Sequence, residues 1–93
     1  MAIYVQLMKW TEQGRKNAES VADRVEAVQK RVQDMGVKII GHYVTMGQYD
    51  QIVVCDAPDD ETVAKVTLMV AGRGNVATET CRAFTMDEVR TLI

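Results

Sequence analysis

The sequence predicts one α+β domain in which strands and helices follow the order β-α-β-β-α-β, with a short helix at the C-terminus. Three observations predict this order. Apolar residues alternate along the first strand-like run, apolar residues then recur at helical spacing, and a Gly-Gln pair joins two further strand-like runs. Because the chain has 93 residues, a second domain has no room, and the single domain is predicted to span residues 1–93.

The first half of the chain predicts a strand followed by an amphipathic helix. The strand runs from Ala2 to Lys9 and is broken by residues Thr11 to Gly14. The helix begins after Ser20, which together with Asp23 approximates a capping box, and ends at Gly36, which suits a C-cap. Its apolar side is formed by residues at helical spacing: Val21, Val25, Val28, Val32 and Met35.

The second half predicts a hairpin, a helix, a fourth strand and a last short helix. Gly at the first of two loop positions suits a type II′ turn, and Pro followed by three acidic residues suits a helix N-terminus. The predicted segments are strands at 37–46 and 49–56 around the turn Gly47-Gln48, a helix from Pro58 to Gly72, a strand at 75–84 and a capping box at 85–88.

The simplest packing of these elements is a ferredoxin-like sandwich, an antiparallel sheet of order 4-1-3-2 with both helices on one face. Right-handed crossovers place both helices on that side. In this topology the ends of the first two strands meet the starts of the last two strands at one edge of the sheet. The residues predicted to gather there are Trp10, Thr11, Thr45, Met46, Gly47, Tyr49, Asp50, Gly74 and Asn75.

Much of the chain resembles the GYD domain family, small bacterial and archaeal proteins named for a Gly-x-Tyr-Asp turn. The matching segments are Lys9 to Gly14, Gly47 to Asp50, Ala57 to Asp60, Gly74 to Val76, Thr78 to Thr80 and Arg82 to Thr85. The sequence departs from the family pattern at Trp10, where members tend to carry Tyr, and at Ala77, where Arg is common. The resemblance implies a ferredoxin-like fold whose sheets often pair into a dimeric α/β barrel, and it implies no particular reaction.

Two helices cover only one face of the sheet, and the alternation along each strand decides which side chains stay uncovered. The side chains predicted to face the helices are Ile3, Val5, Leu7, Ile39, Ile52 and Val54. The side chains predicted to stay uncovered are Tyr4, Gln6, Met8, His42, Val44, Tyr49, Gln51, Val53 and Cys55. Such a partly apolar face is expected to be covered by another subunit, by a ligand or by both, so we predict a homo-oligomer.

Six residues are candidates for ligand binding: Trp10, His42, Tyr49, Asp50, Asn75 and Glu79. Tyr49 suits a hydrogen-bond donor or acid and Asp50 a general base, yet a packed tyrosine and an aspartate bonding turn amides fit the same positions. His42 is the only histidine, so one chain cannot supply a histidine triad for a metal, although several subunits could share a site. Glu79 is unusual in a strand and suits a polar ligand, a partner chain or an exposed edge.

Two further features are interpreted as structural. Arg82 lies at the edge of the sheet opposite to Trp10 and Asp50, and it is expected to form an ion pair with a carboxylate at that same edge. The candidate partners are Asp56, Asp59 and Asp60. Cys55 and Cys81 lie on strands separated by the first strand, roughly 10 Å apart, which exceeds disulfide reach. Neither lies at a helix N-terminus, so both are predicted to be buried, inert thiols.

Composition and charge argue against several classes of protein. The net charge is −2, and the eleven Lys and Arg residues are scattered among acids, which disfavours binding to duplex nucleic acid. No apolar run approaches the roughly 20 residues that cross a bilayer, and no secretion signal is recognisable, so we predict a cytoplasmic protein. Rossmann, Walker and Ser-His-Asp patterns are absent, and the two cysteines show no metal-finger spacing, so we predict no cofactor and no metal.

Three functional hypotheses follow. The leading one is a homo-oligomeric module that binds a small molecule or regulates another process, with the ligand unspecified. The first alternative is a small cofactor-free enzyme resembling the monooxygenases and isomerases on dimeric α/β barrels, with His42, Tyr49 and Asp50 as the working residues. The second alternative is a trimeric ligand sensor resembling the PII and cation-tolerance proteins, which the short turn at Gly47-Gln48 disfavours because such sensors need a long projecting loop.

Overall fold

The computed structural model describes residues 1–93 and confirms the predicted fold class. The elements are β1 (Ala2–Trp10), α1 (Glu12–Lys16), a single 3-10 turn (Ala18–Ser20), α2 (Val21–Asp34), β2 (Lys38–Val44), β3 (Gln51–Ala57), α3 (Asp60–Ala71), β4 (Val76–Ala83) and α4 (Met86–Leu92). The strands form one antiparallel sheet in the order β2-β3-β1-β4, which is the predicted order read from the other edge. No helix has both the length and the apolar character needed to cross a membrane.

The helix starts are set by local hydrogen bonds, of which the sequence predicted one correctly. The capping box at Thr85 and Glu88 is confirmed, with both reciprocal hydrogen bonds formed at the start of α4. The capping role of Ser20 was predicted wrongly. Its backbone angles, φ −96° and ψ 12°, continue the preceding 3-10 turn, and its hydroxyl donates to the Asn17 carbonyl instead. The chain therefore enters α2 directly from that turn.

A short helix, α1, occupies the segment that was predicted only to break the first strand. Thr11 caps it, because its hydroxyl oxygen accepts from the Gly14 amide at 3.1 Å while the hydroxyl donates to the Gly74 carbonyl at 2.6 Å. Five residues are too few to show helical periodicity, which is why the pattern missed the helix. The available signal was a capping threonine followed directly by an acid, Glu12.

The hairpin between β2 and β3 has a longer loop than the predicted two-residue turn. In the paired part of the hairpin, His42 lies opposite Val53 and Val44 lies opposite Gln51. Beyond them the Thr45 amide donates to the Asp50 carbonyl at 2.8 Å, so residues 46–49 form a four-residue loop. The positive φ expected for Gly47 is present, at 125°, where a residue with a Cβ would be strained.

The helices cover the face of the sheet opposite to the one predicted. Tyr4, Gln6 and Met8 point towards the helices and are only 4%, 4% and 5% exposed. The main core cluster combines sheet residues with both long helices: Tyr4, Val32, Val37, Cys55, Ala57, Val63 and Val66. On the other side, five aliphatic side chains are half-buried and belong to neither core cluster; we call them the open face: Ile3, Val5, Leu7, Ile52 and Val54. The face prediction was therefore wrong for β1 and β3, whereas Ile39 of β2 packs against the core as predicted.

Hydrogen bonding explains how the less aliphatic face of the sheet can be buried beneath the helices. The Gln6 amide nitrogen donates to the Thr67 hydroxyl of α3 at 2.7 Å and to the Thr80 hydroxyl of β4 at 3.2 Å. Gln51 accepts from His42 at 2.8 Å. Because both buried amides have partners, their burial carries little penalty. Alternation alone could not reveal this, since the Thr67 partner comes from a helix distant in sequence.

Candidate functional site

The structure distributes the six candidate residues over three places. Tyr49 and Glu79 lie on the open side of the sheet, Trp10 and Asp50 at its edge, and His42 and Asn75 beside a cavity on the helix side. The prediction that His42 shares a face with Tyr49 was wrong, because the face assignment was inverted. His42 pairs with Val53, whose side chain packs beneath the helices, so the sheet separates the imidazole from the Tyr49 phenol.

Tyr49 and Glu79 form a hydrogen-bonded pair at the margin of the open face. The phenol of Tyr49 donates to Glu79 Oε2 at 2.8 Å, and the Lys9 ammonium lies 5.4 Å from the centre of the phenol ring. The hydrogen bond to Glu79 raises the pKa of the Tyr49 phenol, because losing the proton would place a second negative charge beside the carboxylate. Tyr49 is therefore a hydrogen-bond donor at neutral pH and not a base.

Asp50 fastens the loop between β2 and β3 to the end of β1. Its Oδ2 accepts from the Trp10 backbone amide at 2.8 Å, and its own amide donates to the Met8 carbonyl at 2.8 Å. An aspartate that bonds the amides of the turn was one interpretation of this position. The Asp50 carboxylate does accept from a backbone amide, but that amide belongs to β1 and not to the turn. The adjacent indole Nε1 of Trp10 is buried without a partner.

Replacing Asp50 with alanine is expected to destabilise the fold by about 1 to 2 kcal/mol, because the Trp10 amide loses its acceptor at a half-buried position. The conservative variant Asp50→Asn keeps a side-chain oxygen and should lose clearly less. Urea unfolding of the two variants beside the wild type measures the difference. Equal stability of Asp50→Ala and the wild type would contradict this structural role.

A cavity of about 100 Å³ lies between the sheet and the two long helices. Valines from α2 and α3 form its helix side, and His42, Gln51 and Asn75 contribute polar groups from the sheet side. Asn75 is itself held in place, since its carbonyl accepts from the Thr11 amide at 3.0 Å and its Oδ1 from Gln13 Nε2 at 3.1 Å. This cavity was not predicted from the sequence, because the predicted fold left the His42 and Gln51 side of the sheet uncovered.

Arg82 and the cysteines differ in part from their predicted settings. Arg82 forms its ion pair with Glu88 of α4, at 3.8 Å, and not with a predicted aspartate. Its guanidinium lies 4.3 Å from the Phe84 ring centre, so the side chain ties β4 to the chain that follows it. Cys55 is buried, which raises the pKa of its thiol, whereas Cys81 is exposed and corrects the prediction of two buried thiols. No three metal-binding side chains converge on one point.

An antiparallel sheet of this order with two long helices on one face defines a ferredoxin-like α+β protein. The model of the GYD domain family matches residues 4–93, and the chain belongs to that family. The resemblance carried by the Gly-Gln-Tyr-Asp loop is therefore confirmed.

Two proteins from Thermus thermophilus are similar to the chain. One is named glutamine synthetase and cystathionine beta-lyase binding protein, and it is 32% identical over 84 residues, covering 89% of this chain and 88% of its own length. The other is TTHA0845, whose crystal structure aligns with a TM-score of 0.59 over 91% of this chain and 95% of its own. At 21% identity, the second similarity supports the fold alone.

Proposed function

We propose that this chain is a binding and regulatory module that works as a homo-oligomer, with its open face covered by a second copy. One observation carries the proposal: five aliphatic strand side chains, those of the open face, lie where no helix covers them. Burying apolar surface releases about 25 cal/mol per Å², so a continuous aliphatic face favours association. The core beneath the helices is small and divided into two clusters, so a second subunit would add stability.

The charges around the open face suit a second copy of the same chain. Lys9 and Glu79 lie at one end of this side of the sheet, and Lys38 and Asp56 lie at the other. Each end therefore carries one base and one acid. A two-fold arrangement can set an acid of one copy against a base of the other, as an isologous interface requires. We assign the Tyr49–Glu79 pair to this margin, where it would contact the second copy or a ligand held between the copies.

Sedimentation of the wild-type chain tests the assembly. We expect a dimer or a larger oligomer at micromolar concentration. A folded monomer under the same conditions would remove the basis of the proposal.

A second candidate function is binding to an enzyme, which the name of the 32% identical relative favours. A separate surface is available for it along β2 and the following loop. Ile40, Val44 and Met46 are 53%, 58% and 101% exposed there, although all three are large and apolar. Since β2 is an edge strand, its outer side is free to meet another protein.

We expect Met46→Ser to weaken binding to purified glutamine synthetase or cystathionine beta-lyase by about tenfold, because exposed apolar anchors dominate such contacts. Leu68→Ser is the matched control, since Leu68 is 74% exposed on α3, away from β2. Surface plasmon resonance with each enzyme immobilised measures both variants. Absence of binding by the wild type to either enzyme, or equal loss in both variants, would refute this candidate.

The enzyme hypothesis built on His42, Tyr49 and Asp50 receives no support from their positions. The three side chains do not converge within one chain, because His42 faces the helices while Tyr49 reaches Glu79 on the open side. Asp50 is already bonded to the Trp10 amide. A catalytic set of nucleophile, base and orienting group needs mutual hydrogen-bond reach. We therefore favour the binding module.

A further inference from the structure

The apolar side of α2 faces a gap along half its length. Val32 is 3% exposed, but Val21, Val25 and Val28 on the same side of the helix are only half-buried. All four line the cavity, and the first three come from the N-terminal part of the helix. The helical spacing turns these valines towards the sheet, where Val28 packs against the main core cluster but Val21 and Val25 reach neither cluster. The mostly hydrophobic lining of the gap suits a small apolar group.

The charges around the cavity have one sign. Among its lining residues are Arg24 and Arg73 and no aspartate or glutamate, although the chain as a whole carries more acids than bases. Arg73 takes part in none of the ion pairs of the structure. Arg24 uses Nη1 to bond the Asn17 carbonyl and the Ser20 hydroxyl. The cavity therefore favours an anionic group on any ligand that enters it.

Neutral hydrogen-bonding groups lie at the same end of the cavity as Arg73. Arg73 and Asn75 directly precede β4, and Gln51 begins β3 at that edge of the sheet. The Gln51 side chain is 4% exposed and lines the cavity. The Gln51 amide oxygen accepts a hydrogen bond from His42 Nε2 at 2.8 Å. The amide nitrogen of Gln51 is therefore available to donate to a ligand oxygen.

We propose that this cavity binds a small monocarboxylate with a compact, branched aliphatic body. The body would lie against Val25, Val28 and Val66, and the carboxylate would lie at the end formed by Arg73 and Gln51. A dry cavity of about 150 Å³ holds benzene, so about 100 Å³ suits a body of about four carbon atoms. This site lies across the sheet from the open face, and its occupation does not depend on the proposed oligomer.

Isovalerate is the probe that matches this chemistry, and NMR of the full-length, ¹⁵N-labelled chain detects it. We expect millimolar isovalerate to shift the amides of Val25, Val28 and Val66. Acetate has the carboxylate without the body, and isovaleramide has the body without the charge. Each should bind at least about tenfold more weakly than isovalerate. No shift with isovalerate, or shifts confined to residues outside the cavity, would overturn the proposal.

Two substitutions distinguish binding inside the cavity from non-specific binding to the surface. Val25→Phe fills the gap and should abolish the isovalerate shifts, whereas Val89→Phe on α4, outside the cavity, should preserve them. Arg73 is exposed, so Arg73→Gln should leave the fold intact. This variant should bind isovalerate about tenfold more weakly than the wild type, because the carboxylate loses its cationic partner, whereas its affinity for isovaleramide should not change. Should Val25→Phe fail to fold, the Arg73 variant decides. Equal binding of isovalerate by Arg73→Gln and the wild type would contradict the assignment of the carboxylate.

Discussion

Gly14→Ala is expected to lower the stability of the fold by about 3 kcal/mol, which for a domain of this size is a fall in Tm of roughly 12 °C or more. A Cβ at Gly14 would lie 2.0 Å from the Asn75 carbonyl oxygen and 2.9 Å from its carbon. These are backbone atoms and cannot rotate away. The same oxygen accepts from the Thr11 amide at 3.0 Å, so moving it would also break the bond that joins β1 to the approach of β4.

Gly41→Ala is the matched control for this prediction. A Cβ at Gly41 would also come close to another group, 2.5 Å from the Tyr43 hydroxyl, but Tyr43 is 58% exposed and its side chain can turn into solvent. We therefore expect Gly41→Ala to lose much less stability than Gly14→Ala. Thermal unfolding followed by circular dichroism compares the two variants. Similar melting temperatures for both would show that the packing of α1 on residue 75 is not as tight as described.

Val5→Glu is expected to break the proposed oligomer while leaving the monomer folded. Val5 lies on β1 in register with Val54 and Cys81, at the middle of the open face. It belongs to neither core cluster, so the helix side of the sheet does not depend on it. An unpaired carboxylate buried between two copies costs at least about 3 kcal/mol, or more than about 100-fold in the dissociation constant. Val5→Thr keeps the branched shape without a charge and should weaken association far less.

Topology and register were predictable because each rests on a local signal. Alternating residues marked β1 and β3, helical spacing marked α2 and α3, and the capping box at Thr85 marked α4. The order of these elements admits few packings, so the sheet order followed from them. The loop at residues 46–49 was predicted too short, because Tyr49 leaves the strand to reach Glu79, which is distant in sequence.

The face of the sheet that the helices cover could not be predicted, and this error misplaced His42 among the candidate residues. Both sides of β1 and β3 alternate with apolar residues, so the period of two gives two equivalent solutions. The decision depends on Gln6 finding Thr67 and Thr80, which only the packed structure brings together. Trp10 and Asp50 do meet at the predicted edge, since topology alone places them there. His42 lies on the helix side of the sheet together with Val53, so the cavity beside His42 was not predicted from the sequence.

The inverted face bears directly on function. The helices cover only one side of the sheet, so the side chains on its other side meet either solvent or a partner. The uncovered side carries Val5 and its half-buried aliphatic neighbours, while two hydrogen-bonded glutamines, Gln6 and Gln51, are buried among the apolar residues of the covered side. The association of two copies through the open face is the central claim that follows.

Sedimentation velocity of the wild-type chain and of Val5→Glu, at matched micromolar concentrations, tests that claim most directly. Circular dichroism of each sample verifies that both are folded. We predict that the wild type sediments as a dimer or a larger oligomer and that Val5→Glu sediments as a folded monomer. A folded wild-type monomer across this range, or a Val5→Glu variant that sediments like the wild type, would contradict the claim.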